Sequence, residues 1–345
     1  MTPPPGLDLD ALTGYLRATR PDLVSGPLSA ELIPGGRSNL TYRLTDGHHD
    51  WVLRRPPLGH VLATAHDMGR EHRIISALAD TAVPVPHAEL LCTDTEVLGA
   101  PFYLMEHVAG SPLRTPADCA WLTEAQAGEL SGRLVDVLAD LHAVPPEQVG
   151  LGDFGRPDGF LHRQVARWRK QLDASRSRQL AGIDELHEWL SATVPQSPAA
   201  TIVHGDYRLD NVLVTERPLA ISAVLDWEMA TLGDPLADLG LLCVYWRGLG
   251  AANDPITGGV SALPGFWSAD QLVARYAERS GLDVSGLGWY VAFGYFKLAV
   301  IVEGIHYRFT TGGTVGAGFE RLGAMTEPLV RQGLAASRHT TTGDV

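Results

Sequence analysis

Apolar residues fall into two regimes along the chain. Up to Gly110 they come in short runs separated by turn residues, and beyond it they recur mainly at helical spacing. Residues 8–19 read as a short helix. The segment LSAELIPGGRSNLTYRLTDGHHDWVLRRP alternates strand-like runs with Gly-rich turns and predicts an antiparallel meander. AHDMGREHRIISALAD carries helical spacing through Ile74, Ile75, Leu78 and Ala79, and VPVPHAELLCTD and GAPFYLMEHVAG predict two more strands. The N-terminal third is therefore expected to be a five-stranded sheet with one inserted helix.

Helical periodicity then predicts helices at 123–143, about 158–176 and about 181–194. Two short strands follow in TIVHGD and AISAVLD, and further helices at about 235–246, 268–281, 286–309 and 316–336. Strands first and helices later imply an α+β fold of two lobes. The expected bounds are an N-terminal lobe at 1–106, a connection at 107–110, a C-terminal lobe at 111–336 and a flexible polar tail at 337–345.

Composition narrows the class. The 345 residues are 45% hydrophobic and 19% charged, enough for a large core. With 27 Lys+Arg against 40 Asp+Glu, the net charge is −13, which argues against a nucleic-acid partner. Cys92, Cys119 and Cys243 are far apart and form no CxxC pair, so buried thiols are expected rather than disulfides or a zinc site. MTPPPGLDLD has neither the basic nor the apolar region of a secretory signal. WYVAFGYFKLAVIVEGI is interrupted by Lys297 and Glu303 and reads as a buried helix, not a membrane span. A soluble cytoplasmic protein is expected, and the oligomeric state is left open.

Candidate chemistry sits in HGDYRLDNVLV and AISAVLD. Asp206 and Asp226 each end an apolar strand signal, and Asn211 follows Asp206 by five residues. Two carboxylates and an amide oxygen form a hard donor set that suits Mg²⁺, with phosphate oxygens completing the octahedron. The absence of a second nearby His or Cys argues against zinc.

The spacing H-x-D-x-x-x-x-N, followed by a strand and then Asp, is a kinase catalytic-loop and metal-loop pattern. HGDYRLDNVL and LDWEMATLGDPLADLG resemble the aminoglycoside phosphotransferase and choline kinase group of protein-kinase-like enzymes. They are most similar to the branch found fused to acyl-CoA dehydrogenases, and the resemblance covers roughly residues 28–310. It implies a two-lobed protein-kinase-like fold with ATP, or GTP, between the lobes. Asp206 matches the aspartate that orients the acceptor hydroxyl, and Asn211 and Asp226 match the metal ligands. Arg208 matches a cation near the γ-phosphate, and His204 matches a brace of the loop. Asp234 is expected to accept backbone N–H groups from this loop, and Asp238 to cap the helix after Pro235.

The resemblance also assigns the N-terminal lobe. Gly36, Arg37, Ser38 and Asn39 lie in a Gly-rich turn whose amides would cover the phosphates. Arg54 stands where kinases carry a lysine, with Glu71 as its partner; an arginine can hold α/β-phosphates bidentately. Arg54 is preferred to Arg55 as completing the alternation after Trp51 and Leu53. Glu106 to Val108 match the hinge that pairs with adenine, with Leu104 and Met105 alternating in and out. Trp227 and Glu228 replace a Phe and a Gly, which predicts a fixed metal loop. His48 and His49 are expected in solvent, and ARWRKQ as a solvated helix face. Glu303, His306, Tyr307 and Arg308 either line an acceptor pocket or pack between core and rim. The reading is a Mg²⁺-dependent small-molecule kinase whose acceptor is an aminoglycoside-like compound or a metabolite such as a hydroxyacyl-CoA. The rivals are a nucleotide-binding pseudokinase, supported by the arginine at 54, and a metal-dependent hydrolase on His204, Asp206, Asp226 and Asp234, which would need more His ligands.

Overall fold

The computed structural model describes residues 4–33, 39–58, 66–249, 258–312 and 322–342, with side chains to 338. They form two compact units, 1–111 with 222–228, and 112–221 with 229–345.

The first unit is built on an antiparallel five-stranded sheet of order β1-β2-β3-β5-β4. Its strands are Ser29–Leu32 (β1), Leu40–Thr45 (β2), Asp50–Arg55 (β3), Ala88–Cys92 (β4) and Phe102–Glu106 (β5). Helix α1, Leu9–Thr19, starts where the Asp8 carboxylate accepts the amides of Asp10 and Ala11, and it buries Leu12 and Leu16 one turn apart. These join Tyr42, Leu44, Trp51, Leu53, Phe102 and Leu104 in one core cluster. Helix α2, Met68–Leu78, is capped by Asp67 and buries Met68, Glu71, Ile74, Ile75 and Leu78. A carboxylate therefore sits inside an apolar stripe, which requires a partner. A one-turn helix, Thr95–Leu98 (α3), follows β4.

Two sequence expectations change here. Alternation puts Trp51 and Leu53 in the core cluster on one side of β3, and Arg55 shares that side, donating to the carbonyls of Gly6 and Leu98. Arg54 shares the opposite side with Val52, so it does not complete the Trp51–Leu53 alternation but breaks from it. Leu104 and Met105 are both buried, because β5 is an interior strand with helix α2 packed against it.

The second unit is mainly helical: Glu124–Ala143 (α4), Phe160–Ser175 (α5), Ile183–Ala192 (α6), Pro235–Arg247 (α7), Ala269–Ser280 (α8), Leu287–Thr310 (α9) and Thr326–Thr342 (α10). Thr123 with Gln126 and Ser268 with Gln271 form capping boxes that start α4 and α8. Residues 316–321 of the expected 316–336 helix lie outside the described residues; α10 begins at Thr326 and runs into the expected tail. Helix α9 is long and apolar enough to cross a membrane by length and composition, but 83% of its most apolar window is buried. It packs against α5, α6, α7 and α10. Lys297 and Glu303 lie on this helix and are themselves buried. The two strands expected around HGD and AISAVLD are accompanied by two more. Thr201–Val203 (β6) pairs with Thr231–Gly233 (β9), and Val212–Glu216 (β7) pairs with Leu219–Val224 (β8).

All three cysteines are free and buried. Burial pushes the Cys119 thiol up to about 11 and the Cys243 thiol up to about 12. His48 and His49 are exposed at the β2–β3 turn. The turn itself depends on Asp46, whose carboxylate accepts the amides of Ser25, His48 and His49 at 2.8, 2.9 and 2.8 Å. Burial opposes this charge, yet the amide hydrogen bonds outweigh it and hold the carboxyl well below the usual range. A depressed folded pKa contributes stability that is present above about pH 4 and lost as pH falls. Asp46→Ala is expected to cost about 1–3 kcal/mol near neutrality, from the amides it leaves without an acceptor. Urea denaturation at a series of pH values should show the difference from wild type shrinking in acid; a pH-independent difference would contradict this role.

Candidate active site

The HGD segment leaves β6 into a tightly specified loop in the second unit. Asp238, fully buried on α7, accepts the His204 amide at 2.6 Å and the Gly205 amide at 2.8 Å. Burial works against its charge, but His142, with Nε2 3.4 Å away, and His204 hold the carboxyl below its ordinary value. Gly205 has φ +82°, and a Cβ there would lie 2.8 Å from the Met229 carbonyl, so only glycine fits. His204 is buried, and its Nδ1 accepts the Asp206 amide at 3.2 Å. Asp234, in contrast, caps α7 by accepting the Leu236 amide at 2.9 Å and takes the Tyr290 hydroxyl at 2.8 Å. The expected roles of Asp234 and Asp238 are thus exchanged. Asp234 immediately precedes Pro235 and is the N-cap; Asp238 lies in the first turn of α7, where its carboxylate meets the loop amides.

Asp206 is engaged through both carboxylate oxygens. Tyr245 on α7 donates to Oδ1 at 2.6 Å, and Asn211 Nδ2 donates to Oδ2 at 3.0 Å and to the Asp206 carbonyl at 2.9 Å. The Asn211 amide therefore directs its nitrogen at Asp206, and its oxygen is the atom available to a cation. The Arg208 guanidinium pairs with Asp210 and lies over the Tyr245 ring at 4.7 Å. Burial works against its charge, but Tyr245, Asp210 and Asp206 more than restore it, while burial raises the Asp210 carboxyl. Arg208, Asp210 and Tyr245 also line an open concavity of about 330 Å³ whose walls include Leu242, Trp246 and Val260.

The first unit carries Asp226. Its φ is +66°, in the left-handed region that few residues other than glycine and Asn/Asp enter. The next residue, Trp227, is buried and donates its indole N–H to the Val224 carbonyl at 3.0 Å. Arg54 reaches Asp226 Oδ1 at 3.1 Å and Glu71 Oε2 at 3.0 Å. Glu71 also accepts from the Tyr103 hydroxyl at 3.0 Å and from Asn39 Nδ2 at 3.0 Å, and the same Asn39 nitrogen lies 3.2 Å from Glu228. Burial raises the Glu71 carboxyl against the pull of Arg54. Burial also works against the charge of Arg54, but its acidic neighbours keep it protonated. One guanidinium here faces three carboxylates, Glu71, Asp226 and Glu228. Gly36, Arg37 and Ser38 lie outside the described residues. At the end of β5, the Glu106 amide donates to the His87 carbonyl at 2.8 Å, the His107 amide donates to the Asp50 carbonyl at 3.3 Å, and Val108 is half-buried.

A family model for the phosphotransferase enzyme family matches residues 29–273. The chain belongs to this family. It is 32% identical over 341 residues to acyl-CoA dehydrogenase family member 11 of Gallus gallus, covering 94% of this chain and 43% of the relative. The chain spans less than half the length of the curated relatives it matches. A solved structure of a provisionally assigned aminoglycoside phosphotransferase from Ralstonia eutropha is 33% identical, covers 96% of this chain and 98% of that one, and superposes with a TM-score of 0.83. A thermostable aminoglycoside phosphotransferase mutant, solved with AMP-PNP and hygromycin B, shares the fold at 15% identity, with coverage of 94% and 98% and a TM-score of 0.60. These similarities support the kinase-like α+β fold, and the phosphotransferase family accounts for the pairing of an HxDxxxxN loop with a later Asp.

Several residues of this phosphotransferase were not identifiable by spacing. Tyr245 lies within an apolar helix run, and nothing in that run marks its hydroxyl as aimed at Asp206. Asp210 stands two residues after Arg208, and that adjacent opposite charge was a usable signal. Glu303 is withdrawn from the rim: fully buried, it pairs with Arg178 Nη2 at 2.8 Å and is met by the Thr326 hydroxyl at 3.4 Å. On α5, Trp168 of ARWRKQ is buried, and Arg169 pairs with Asp173 and Asp184. Arg54→Met is expected to cost about 3–5 kcal/mol by leaving Glu71 buried without its cation. Adding Glu71→Leu should restore much of that loss. Urea titrations of the single and double variants measure it, and simple additivity would exclude the coupling.

Proposed function

We propose that this phosphotransferase moves the γ-phosphate of ATP, or GTP, to a hydroxyl of a small molecule with Mg²⁺ as the metal. The observation that carries the reading is the double hydrogen bond from Asn211 to Asp206. It fixes the aspartate that would take the acceptor proton and reserves the amide oxygen for a hard cation. The three carboxylates around the guanidinium of Arg54 leave this part of the first unit with an excess of negative charge. When bound, Mg²⁺ supplies charge neutralisation to the phosphates. Asp206 orients the acceptor O–H and receives its proton as the oxygen attacks phosphorus and the bond to the β–γ bridging oxygen breaks. Arg208 adds a fixed positive charge on the same loop. The ion pair of Arg54 with Glu71 supports an active enzyme over a pseudokinase, because it reproduces the lysine–glutamate pairing with a different cation.

For the acceptor, the apolar walls of the concavity favour a molecule with an uncharged apolar portion. Similarity to acyl-CoA dehydrogenase family member 11 supports a metabolite hydroxyl such as that of a hydroxyacyl-CoA over an aminoglycoside.

Thermal unfolding with Mg²⁺ and ATP, GTP or neither tests nucleotide binding. Saturation at about 100 times Kd adds roughly 2.7 kcal/mol, a shift of several degrees. The shift should vanish in Asp226→Ala. Absence of any shift in wild type at millimolar nucleotide would count against a working site. In a hydroxyl-acceptor screen, Asp206→Ala should lose about 10²–10⁴ in kcat. Unchanged turnover would remove Asp206 from proton transfer.

A further inference from the structure

Lys297 is a charged group that the mechanism above does not use. It lies midway along α9 and is buried, yet among the described residues no carboxylate comes within ion-pair distance of it. An ammonium taken out of water without a counter-ion is costly, and a methionine or leucine would fill such a helix position at no such cost. What Lys297 does contact is the loop. Its Nζ donates to the Gly205 carbonyl at 2.6 Å, and it lies 5.5 Å from the centre of the Trp168 ring. Burial lowers its pKa, while Asp206 and Asp238 favour its charged form.

We infer that Lys297 is a positioning residue for Asp206. Gly205 is gripped on both sides of its backbone: its amide by the Asp238 carboxylate from α7, and its carbonyl by the Lys297 ammonium from α9. That carbonyl belongs to the peptide bond leading into Asp206. Asp238 holds the N–H of the preceding peptide, and His204 Nδ1 takes the Asp206 amide at a longer 3.2 Å, so the carbonyl side of this peptide is held by Lys297. With its N–H on His204 and its carbonyl on Lys297, this peptide is fixed at both ends, and Lys297 thereby helps set where the Asp206 carboxylate begins. The use made of that carboxylate rests on the kinase reading; the clamp on the loop does not.

The test is amide hydrogen exchange with mass-spectrometric readout on the full chain, comparing wild type with Lys297→Met. Loss of a charge-assisted hydrogen bond should speed exchange about tenfold or more in the peptide carrying His204 to Tyr207. Peptides from α9 and α7 should keep their rates, and Tm should stay within a few degrees, because removing the buried ammonium offsets the lost bond. Lys297→Arg, which keeps a cation, should recover part of the protection. Unchanged exchange at the loop would overturn the inference. So would acceleration throughout the second unit with a fallen Tm, which would make Lys297 an ordinary packing residue. A chain that proved inactive as a kinase would leave the exchange result interpretable, since exchange reads the loop and not transfer.

Discussion

The carboxylate of Asp238 accepts two consecutive backbone amides, those of His204 and Gly205, from inside the protein. Most of the site geometry in the second unit depends on that contact. It bends the chain as it leaves β6 and requires a glycine at the bend. It also sets the His204 ring where its Nδ1 can accept the Asp206 amide. The cost of burying an acid is met by hydrogen bonds and by His142 and His204. Without this anchor, the donors that converge on Asp206 would have no fixed target.

The first unit solves a related problem with a different charge balance. Arg54 cannot deprotonate, so its neighbourhood keeps a permanent cation even though it is buried. Three acids gather around it, and the neutral Asn39 amide bridges two of them. A lysine would offer a point charge with rotating donors; the guanidinium instead reaches Glu71 and Asp226 with separate nitrogens. The arrangement explains why an arginine can serve at this position without loss of order.

Much of this was legible in the sequence, for physical reasons that differ by element. The helices of the second unit were readable because burial imposes a 3.6-residue period on Leu, Val and Phe. The HxDxxxxN spacing was readable because a rigid loop fixes the intervals between its functional groups. Strand β9 was missed because three residues, Thr231 to Gly233, give too short a pattern to alternate. The exchange of Asp234 and Asp238 came from a tie: both precede or enter the same helix, and only three-dimensional contact decides which acid faces the loop. The expectation that the alternation after Trp51 and Leu53 leads to Arg54 fails, because a period of two leads to Arg55, which binds backbone carbonyls on that side. Tyr245 was hidden because a hydroxyl at the end of a largely apolar side chain leaves the periodic pattern intact, while Lys297 was visible as a break in an apolar run but nothing in the sequence showed that it reaches the loop.

The left-handed backbone at Asp226 limits which residues evolution or an engineer can place there. Glutamate offers the same charge but a longer chain and a poorer fit to that conformation, and a β-branched residue is worse still. Asparagine matches both the size and the backbone, but it surrenders the charge. Shape and charge therefore meet in a single amino acid, so the position has almost no neutral neighbours in sequence space. A homologue carrying anything else there has changed the charge beside Arg54, its turn, or both.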